Sequence, residues 1–176
     1  MPADEVLARA ARVRLMIFDV DGVLTDGTLY FSGRGEELKA FNIRDGLGMK
    51  MLARTGVHLA IISGRRSPAL EQRAENLGID FLYQGIDDKL AAFGELTARL
   101  GLSDAECGFL GDDLIDLPIL SRCGFAASVA DGAPEVVSRV HYVTRAAGGR
   151  GAAREVCELL MRAQGTLDRA MSRYLA

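Results

Sequence analysis

Leu15-Met16-Ile17-Phe18-Asp19-Val20-Asp21-Gly22 is the stretch that decides the fold of this chain. An apolar run closed by acids and a glycine reads as a buried strand handing over to a loop. In extended backbone, residues i and i+2 project to the same side, so the carboxylates of Asp19 and Asp21 can face one point. Two anions that close repel strongly in a desolvated pocket and need a cation, a shared proton or open water. A Mg²⁺ site answers the first need and leaves one aspartate free to act as a nucleophile. An ordinary Asp-Gly turn after a strand would use the same letters, so the rest of the chain has to choose.

Outward from this run, short apolar segments alternate with stretches of helical spacing. Leu15–Phe18, Leu59–Ile62, Gly108–Leu110, Phe125–Val129 and His141–Val143 read as buried strands. Leu47–Thr55, Pro68–Leu77, Lys89–Leu100, Ile115–Ser121 and Gly151–Gln164 read as helices, with Pro68 at a first turn and Gly78 and Gly101 as stops. This alternation predicts an α/β fold, a doubly wound parallel sheet with helices on both faces. Ligands of such sheets sit beyond the carboxyl ends of the strands, where the acidic turns of this chain fall. One stretch breaks the pattern: Thr28–Phe41, with a glycine turn at its centre, reads as a β-hairpin projecting from the first strand's end. Residues 1–176 are expected to form a single domain, with Gly165–Ala176 as a helical or partly ordered tail.

Composition narrows the function. The 176 residues are 49% hydrophobic and 26% charged, enough to bury one real core. The net charge is −3 and no long basic run occurs, which argues against a nucleic-acid partner. Cys107, Cys123 and Cys157 are isolated and odd in number, unlike a disulfide framework or a zinc site. The polar N-terminus and the short apolar run after it do not suit a signal peptide or membrane span, so a cytoplasmic protein without a membrane partner is expected.

Three later clusters join the acidic pair. Ser63-Gly64 follows Ile61-Ile62, and a small hydroxyl before glycine lets backbone N–H groups approach an anion. Lys89 opens a helix, where the macrodipole favours acids, so a nearby phosphate or carboxylate cluster would explain it. Phe109-Leu110-Gly111-Asp112-Asp113-Leu114-Ile115-Asp116 runs a second buried strand into a second acidic loop. Hard oxygen ligands from two such loops, with waters and a phosphate oxygen, are how Mg²⁺ is usually held.

The order Asp-x-Asp, Ser, Lys, Gly-Asp-Asp-x-x-Asp resembles the haloacid dehalogenase superfamily of aspartate-nucleophile phosphatases. Within it, Asp19–Gly27, Phe41–Gly46, Tyr83–Gly85 and Tyr142–Ala152 are similar to the 3-deoxy-D-manno-octulosonate 8-phosphate phosphatase family. The resemblance implies a capless Rossmann-like phosphatase of lipopolysaccharide precursor synthesis, active as a homotetramer. It implies Asp19 as nucleophile and Asp21 as acid and base. Mg²⁺ would be held by Asp19, the Asp21 backbone carbonyl and Asp112. Ser63 and Lys89 would bind the phosphoryl oxygens. The substrate, a small sugar-acid phosphate, would be contacted by Asp21, Asn42, Arg44, Gly46, Lys50, Arg65, Arg73, Lys89 and Arg150. Lys50 offers a point charge where an arginine would offer a fork. Asp113 and Asp116 would be supporting acids.

A capless site is open, so a neighbouring subunit is expected to supply a wall, with the basic Gly148–Gly151 loop reaching across. The hairpin, carrying Tyr30 and Phe31 on an edge, is the expected oligomer contact. A phosphatase for a nine-carbon sialic-type acid 9-phosphate is the nearest rival. A phospho-accepting receiver module is a second, but there the acceptor follows a middle strand. A non-catalytic domain that supports a partner's assembly is a third, against which all the acids needed for chemistry are present.

Overall fold

The computed structural model describes residues 3–35, 37–79 and 81–175. Glu36 of the expected hairpin, and Met1, Pro2 and Ala176 of the expected termini, lie outside these. In chain order the elements are α1 (Ala3–Ala10), β1 (Leu15–Phe18), β2 (Tyr30–Phe31), β3 (Glu37–Leu38), α2 (Ile43–Ala53), β4 (His58–Ser63), α3 (Pro68–Leu77) and β5 (Phe81–Gln84). They continue with α4 (Lys89–Leu100), β6 (Cys107–Gly111), α5 (Leu117–Leu120), β7 (Phe125–Ser128), α6 (Pro134–Val137), β8 (Tyr142–Val143), α7 (Ala152–Ala163) and α8 (Leu167–Ser172).

The main sheet has the order β5-β4-β1-β6-β7-β8, and every neighbouring pair in it is parallel. β1 is central, with Phe18 opposite Ile61 on one side and Leu110 on the other. Its side chains divide by alternation. Met16 and Phe18 join a core completed by α1, α2, α3 and α7. Leu15 and Ile17 join a second core with Phe93 and Leu96 of α4 and Ile119 and Leu120 of α5. Each such fully buried side chain contributes roughly 2 kcal/mol, so a sheet covered on both faces is well anchored. The doubly wound α/β architecture read from the alternation is the observed one.

From β1 the chain winds to β4 and β5 on one side, then crosses back to β6 on the other. The winding reverses at the β1/β6 boundary, which is where such sheets place ligands. Asp19 follows β1 and Asp112 follows β6.

Several elements differ from expectation. α1 and β5 were not anticipated: α1 buries only Val6 and Ala10, and β5 is half-buried along its whole length. β5 shows no alternation, and α1 is short. The expected helix Ile115–Ser121 is instead a 3₁₀ turn, Leu114–Asp116, followed by the short α5 with Pro118 in its first turn. Among the described residues the hairpin pairs Tyr30 with Leu38 and Phe31 with Glu37 in antiparallel fashion.

Candidate active site

The turn after β1 is built to present acids. Val23, Leu24 and Thr25 all direct their N–H groups at the Val20 carbonyl. The Thr25 hydroxyl accepts from the N–H of Gly22 at 3.3 Å and of Gly27 at 3.2 Å. A Cβ placed on Gly22 would lie 2.0 Å from Asp112 Oδ2, and Gly22 has φ +91°. Glycine is therefore required on both counts, backbone and space.

Asp19 is buried, and its backbone N–H donates to Leu110 of β6 at 3.0 Å. Lys89, buried at the start of α4, donates from Nζ to Asp19 Oδ1 at 2.6 Å and to Asp116 Oδ1 at 2.7 Å. α4 does not depend on Lys89 for its cap, because the Asp88 side chain accepts from Ala91 N–H. The ammonium is thus free to act as the counter-ion of two carboxylates. Removing it would leave both facing each other in a dry site, a loss of roughly 3–5 kcal/mol. Burial by itself would lower the Lys89 pKa, but the charges and hydrogen bonds of Asp19 and Asp116 together raise it.

One carboxylate oxygen from each of Asp19, Asp112 and Asp116 falls within 4.8 Å of the others. These acids are not equivalent. Asp116 spends Oδ1 on Lys89 and Oδ2 on the N–H groups of Asp112 and Asp113, at 3.0 and 3.3 Å. It holds the loop and the lysine. Asp112 Oδ1, by contrast, is buried without a hydrogen-bond partner. Burial, followed by repulsion from Asp19, Asp116 and Asp113, pushes the Asp112 pKa up to about 8. Burial and the Asp116 charge likewise raise Asp19 to about 7 against the opposing pull of Lys89. Two under-compensated carboxylates side by side are what a hard divalent cation relieves, and the donor set fits Mg²⁺.

Asp21 stands outside this trio. Its carboxylate is paired through Oδ1 with Lys39 and lies 3.9 Å from Arg65 Nε through Oδ2. Lys39 Nζ also lies 3.0 Å from Glu37 Oε1, and Arg65 pairs with the other Glu37 oxygen. Lys39 was not singled out from the sequence, although the alternation Glu37-Leu38-Lys39 places its two charges on one face of the strand. Ser63 is buried at the end of β4, with its hydroxyl accepting from Arg65 N–H at 3.3 Å. An open pocket of about 300 Å³ joins Asp19, Asp21, Ser63, Arg65, Asp112 and Asp113.

The other expected substrate contacts do not line this pocket within one chain. Asn42 caps α2, accepting from Arg44 N–H at 2.8 Å and donating to the Gly149 carbonyl at 3.1 Å. Arg73 donates to the Asn42 carbonyl at 3.0 Å, and its guanidinium would meet a Cβ on Gly46 at 2.2 Å. Asn42, Gly46 and Arg73 thus pack against one another in a narrow cleft. Arg44 and Arg150 line a separate depression with Arg145 and Arg154. Lys50 is half-buried on α2. The Gly148–Gly151 loop, expected to reach into a neighbour, is tied down in its own chain. Gly148 N–H donates to Asp131, Gly149 N–H to Val23, and Gly151 N–H to Asp45. Asp45 also accepts from Arg154 N–H at 2.8 Å, so a carboxylate on α2 caps α7 across the helix pair. Arg150 itself stays exposed, its guanidinium 3.5 Å from Asp26.

Comparison with known proteins agrees with this arrangement. Residues 81–155 match the haloacid dehalogenase-like hydrolase family. The 3-deoxy-D-manno-octulosonate 8-phosphate phosphatase KdsC of Yersinia pestis is 51% identical over 96% of this chain and 90% of its own length. The chain belongs to the KdsC-type phosphatases of the haloacid dehalogenase superfamily.

Solved structures of KdsC-type phosphatases and related proteins extend the likeness to three dimensions. The Yersinia pestis phosphatase superposes with a TM-score of 0.93, covering 95% of this chain and 90% of that one. A probable YrbI family phosphatase of Pseudomonas syringae is 49% identical with a TM-score of 0.97, covering 99% of both chains. The Moraxella catarrhalis 3-deoxy-D-manno-octulosonate 8-phosphate phosphatase, solved with a magnesium ion, a phosphate ion and a KDO molecule, is 41% identical with a TM-score of 0.96 over 98% of this chain and 99% of its own. The Rossmann-like fold is common to these structures and this chain, and the acidic trio of this chain fits a Mg²⁺ ion.

Proposed function

We propose that this chain hydrolyses 3-deoxy-D-manno-octulosonate 8-phosphate to the free sugar acid and phosphate, with Mg²⁺, through a phosphorylated Asp19. The observation that carries the reading is the pinning of Asp19 by Lys89 at 2.6 Å beside the unpartnered Asp112 carboxylate. Asp19 and Asp112, with the Asp21 backbone carbonyl, would hold the ion. When bound, Mg²⁺ supplies the positive charge against which an anionic ester can approach an anionic nucleophile.

In the first half-reaction an Asp19 oxygen forms a bond to phosphorus, and the bond from phosphorus to the sugar oxygen breaks. That oxygen takes its proton from Asp21. In the second, Asp21 takes a proton from water as its oxygen attacks phosphorus, and the bond to Asp19 breaks. Phosphate leaves and Asp19 is restored. Lys89 fixes the nucleophile by engaging one carboxylate oxygen. The Ser63 hydroxyl and Lys89 offer donors to the equatorial phosphoryl oxygens, where charge gathers.

The remaining contacts fit an assembly better than a lone chain. Asn42, Arg44, Gly46, Lys50, Arg73 and Arg150 lie outside the acidic pocket, and a homotetramer would bring such residues to a neighbour's site as a shared wall. Exposed Leu29, Tyr30, Phe31 and Leu38 on the hairpin support that contact, since an apolar edge invites pairing. The whole chain acts as one domain, residues 28–41 forming the assembly hairpin and 165–176 a tail. The compartment is cytoplasmic in this reading. Among the described residues no helix is long and apolar enough to cross a membrane.

Phosphate release from a panel of sugar phosphates at fixed Mg²⁺ tests the substrate. The eight-carbon acid 8-phosphate should give the highest kcat/KM. Preference for a nine-carbon acid 9-phosphate would reassign the specificity.

A further inference from the structure

We infer that Lys39 is a positioning residue for the acid and base group Asp21, delivered to the site by the hairpin. The inference rests on the phosphatase reading above and adds a residue to it. Lys39 follows β3, outside the four motif segments, yet its side chain is only 3% exposed. A lysine is rarely buried without partners, and this one has two. Its ammonium pairs with Asp21 Oδ1 and lies 3.0 Å from Glu37 Oε1. Glu37 in turn pairs with Arg65, whose Nε lies 3.9 Å from Asp21 Oδ2. The two Asp21 oxygens therefore face two different cations, and Glu37 ties those cations together.

The arrangement has a consequence for geometry. A lone aspartate at a pocket mouth samples its rotamers, whereas proton transfer needs the carboxyl within hydrogen-bond reach of the leaving oxygen. Lys39 on one oxygen fixes the rotamer and leaves the other facing the pocket that Arg65 borders. Glu37 and Lys39 lie two residues apart on extended chain, so both side chains emerge on the face turned to the site. On the opposite face of the same hairpin, Leu38 and its cross-strand partner Tyr30 remain exposed. One small element thus presents charge inward to Asp21 and an apolar surface outward.

The test is steady-state kinetics of Lys39→Met and Lys39→Arg beside Asp21→Asn, on the sugar phosphate and on p-nitrophenyl phosphate, whose phenolate departs without a proton. Lys39→Met should lower kcat/KM on the sugar phosphate by about 10- to 100-fold, a fraction of what general acid–base catalysis supplies. The loss of kcat/KM on the aryl ester, which reports only the transfer to Asp19, should be smaller, and Lys39→Arg should recover most of the rate. Equal losses of kcat/KM on both substrates, or a kcat/KM on the sugar phosphate unchanged in Lys39→Met, would overturn the inference. Should the Met variant not fold, Lys39→Gln, which is polar, uncharged and one bond shorter, is read the same way. An active Asp21→Asn would instead refute the underlying reading of Asp21, whatever Lys39 does.

Discussion

Gly22 and Asp112, ninety positions apart in the chain, meet so closely that a methyl group on Gly22 would fall 2.0 Å from Asp112 Oδ2. The first acidic loop therefore forms the floor under the carboxylate of the second. Neither loop can be described as a site by itself.

Gly22→Ala should in consequence act on catalysis as well as on stability. The new Cβ must push the Asp112 carboxylate aside, and φ +91° strains any L side chain at this position. A displacement of about 1 Å in such a centre can cost on the order of 100-fold in rate. Kinetics across a Mg²⁺ titration should show reduced kcat/KM and a weaker apparent metal affinity. Unaltered metal dependence would show that the two loops do not share one ion.

Asp112→Asn should separate stability from function. In metal-free protein the Asp112 carboxyl is pushed up to about 8 by burial and then by Asp19, so ionising it opposes folding at neutral pH. The amide removes that cost. Thermal unfolding in chelator at pH 8 should therefore give the variant a higher Tm than the parent. Added Mg²⁺ should raise the parent's Tm and leave the variant's nearly unmoved, with activity lost. A variant less stable than the parent in chelator would contradict the electrostatic account.

His141 offers a pH dependence away from the site. Its Nδ1 accepts from Ala126 N–H at 2.8 Å, and burial, then the nearby Arg9 charge, lower its pKa below 6.5. The folded state thus binds this proton less readily than the unfolded one. Stability present above pH 6.5 should fall as acid approaches the lowered value, because protonation removes the acceptor. Denaturant melts from pH 7.5 to 5.5 should show this slope, and His141→Gln should flatten it. An equal slope in the variant would assign the effect to other groups.

Much of this architecture was legible in the sequence, for identifiable reasons. β1 reads as a buried strand because its apolar run is unbroken. α3 and α4 end where Gly78 and Gly101 adopt positive φ, and Pro68 opens α3. The site residues were legible as a set because spacing and strand ends place Asp19, Ser63 and Asp112 at one rim. What tertiary structure decides was not legible. The resemblance set Asp112 apart from Asp116, but not the physical reason: one carboxylate is left unpartnered and the other is consumed by Lys89 and two backbone N–H groups. β5 lacked a strong period because each of its residues is only half-buried. Lys39 required knowing that a short hairpin folds back on its own site. The Gly148–Gly151 loop looked free because its letters do not show that Asp45 and Asp131 anchor it.

The most direct test of the whole account is phosphate release from 3-deoxy-D-manno-octulosonate 8-phosphate by Asp19→Asn at saturating Mg²⁺, beside the parent enzyme. With no carboxylate to attack phosphorus, turnover should drop to background while the variant stays folded and still binds the sugar phosphate. Release at the parent's rate would mean that the group pinned by Lys89 is not the nucleophile.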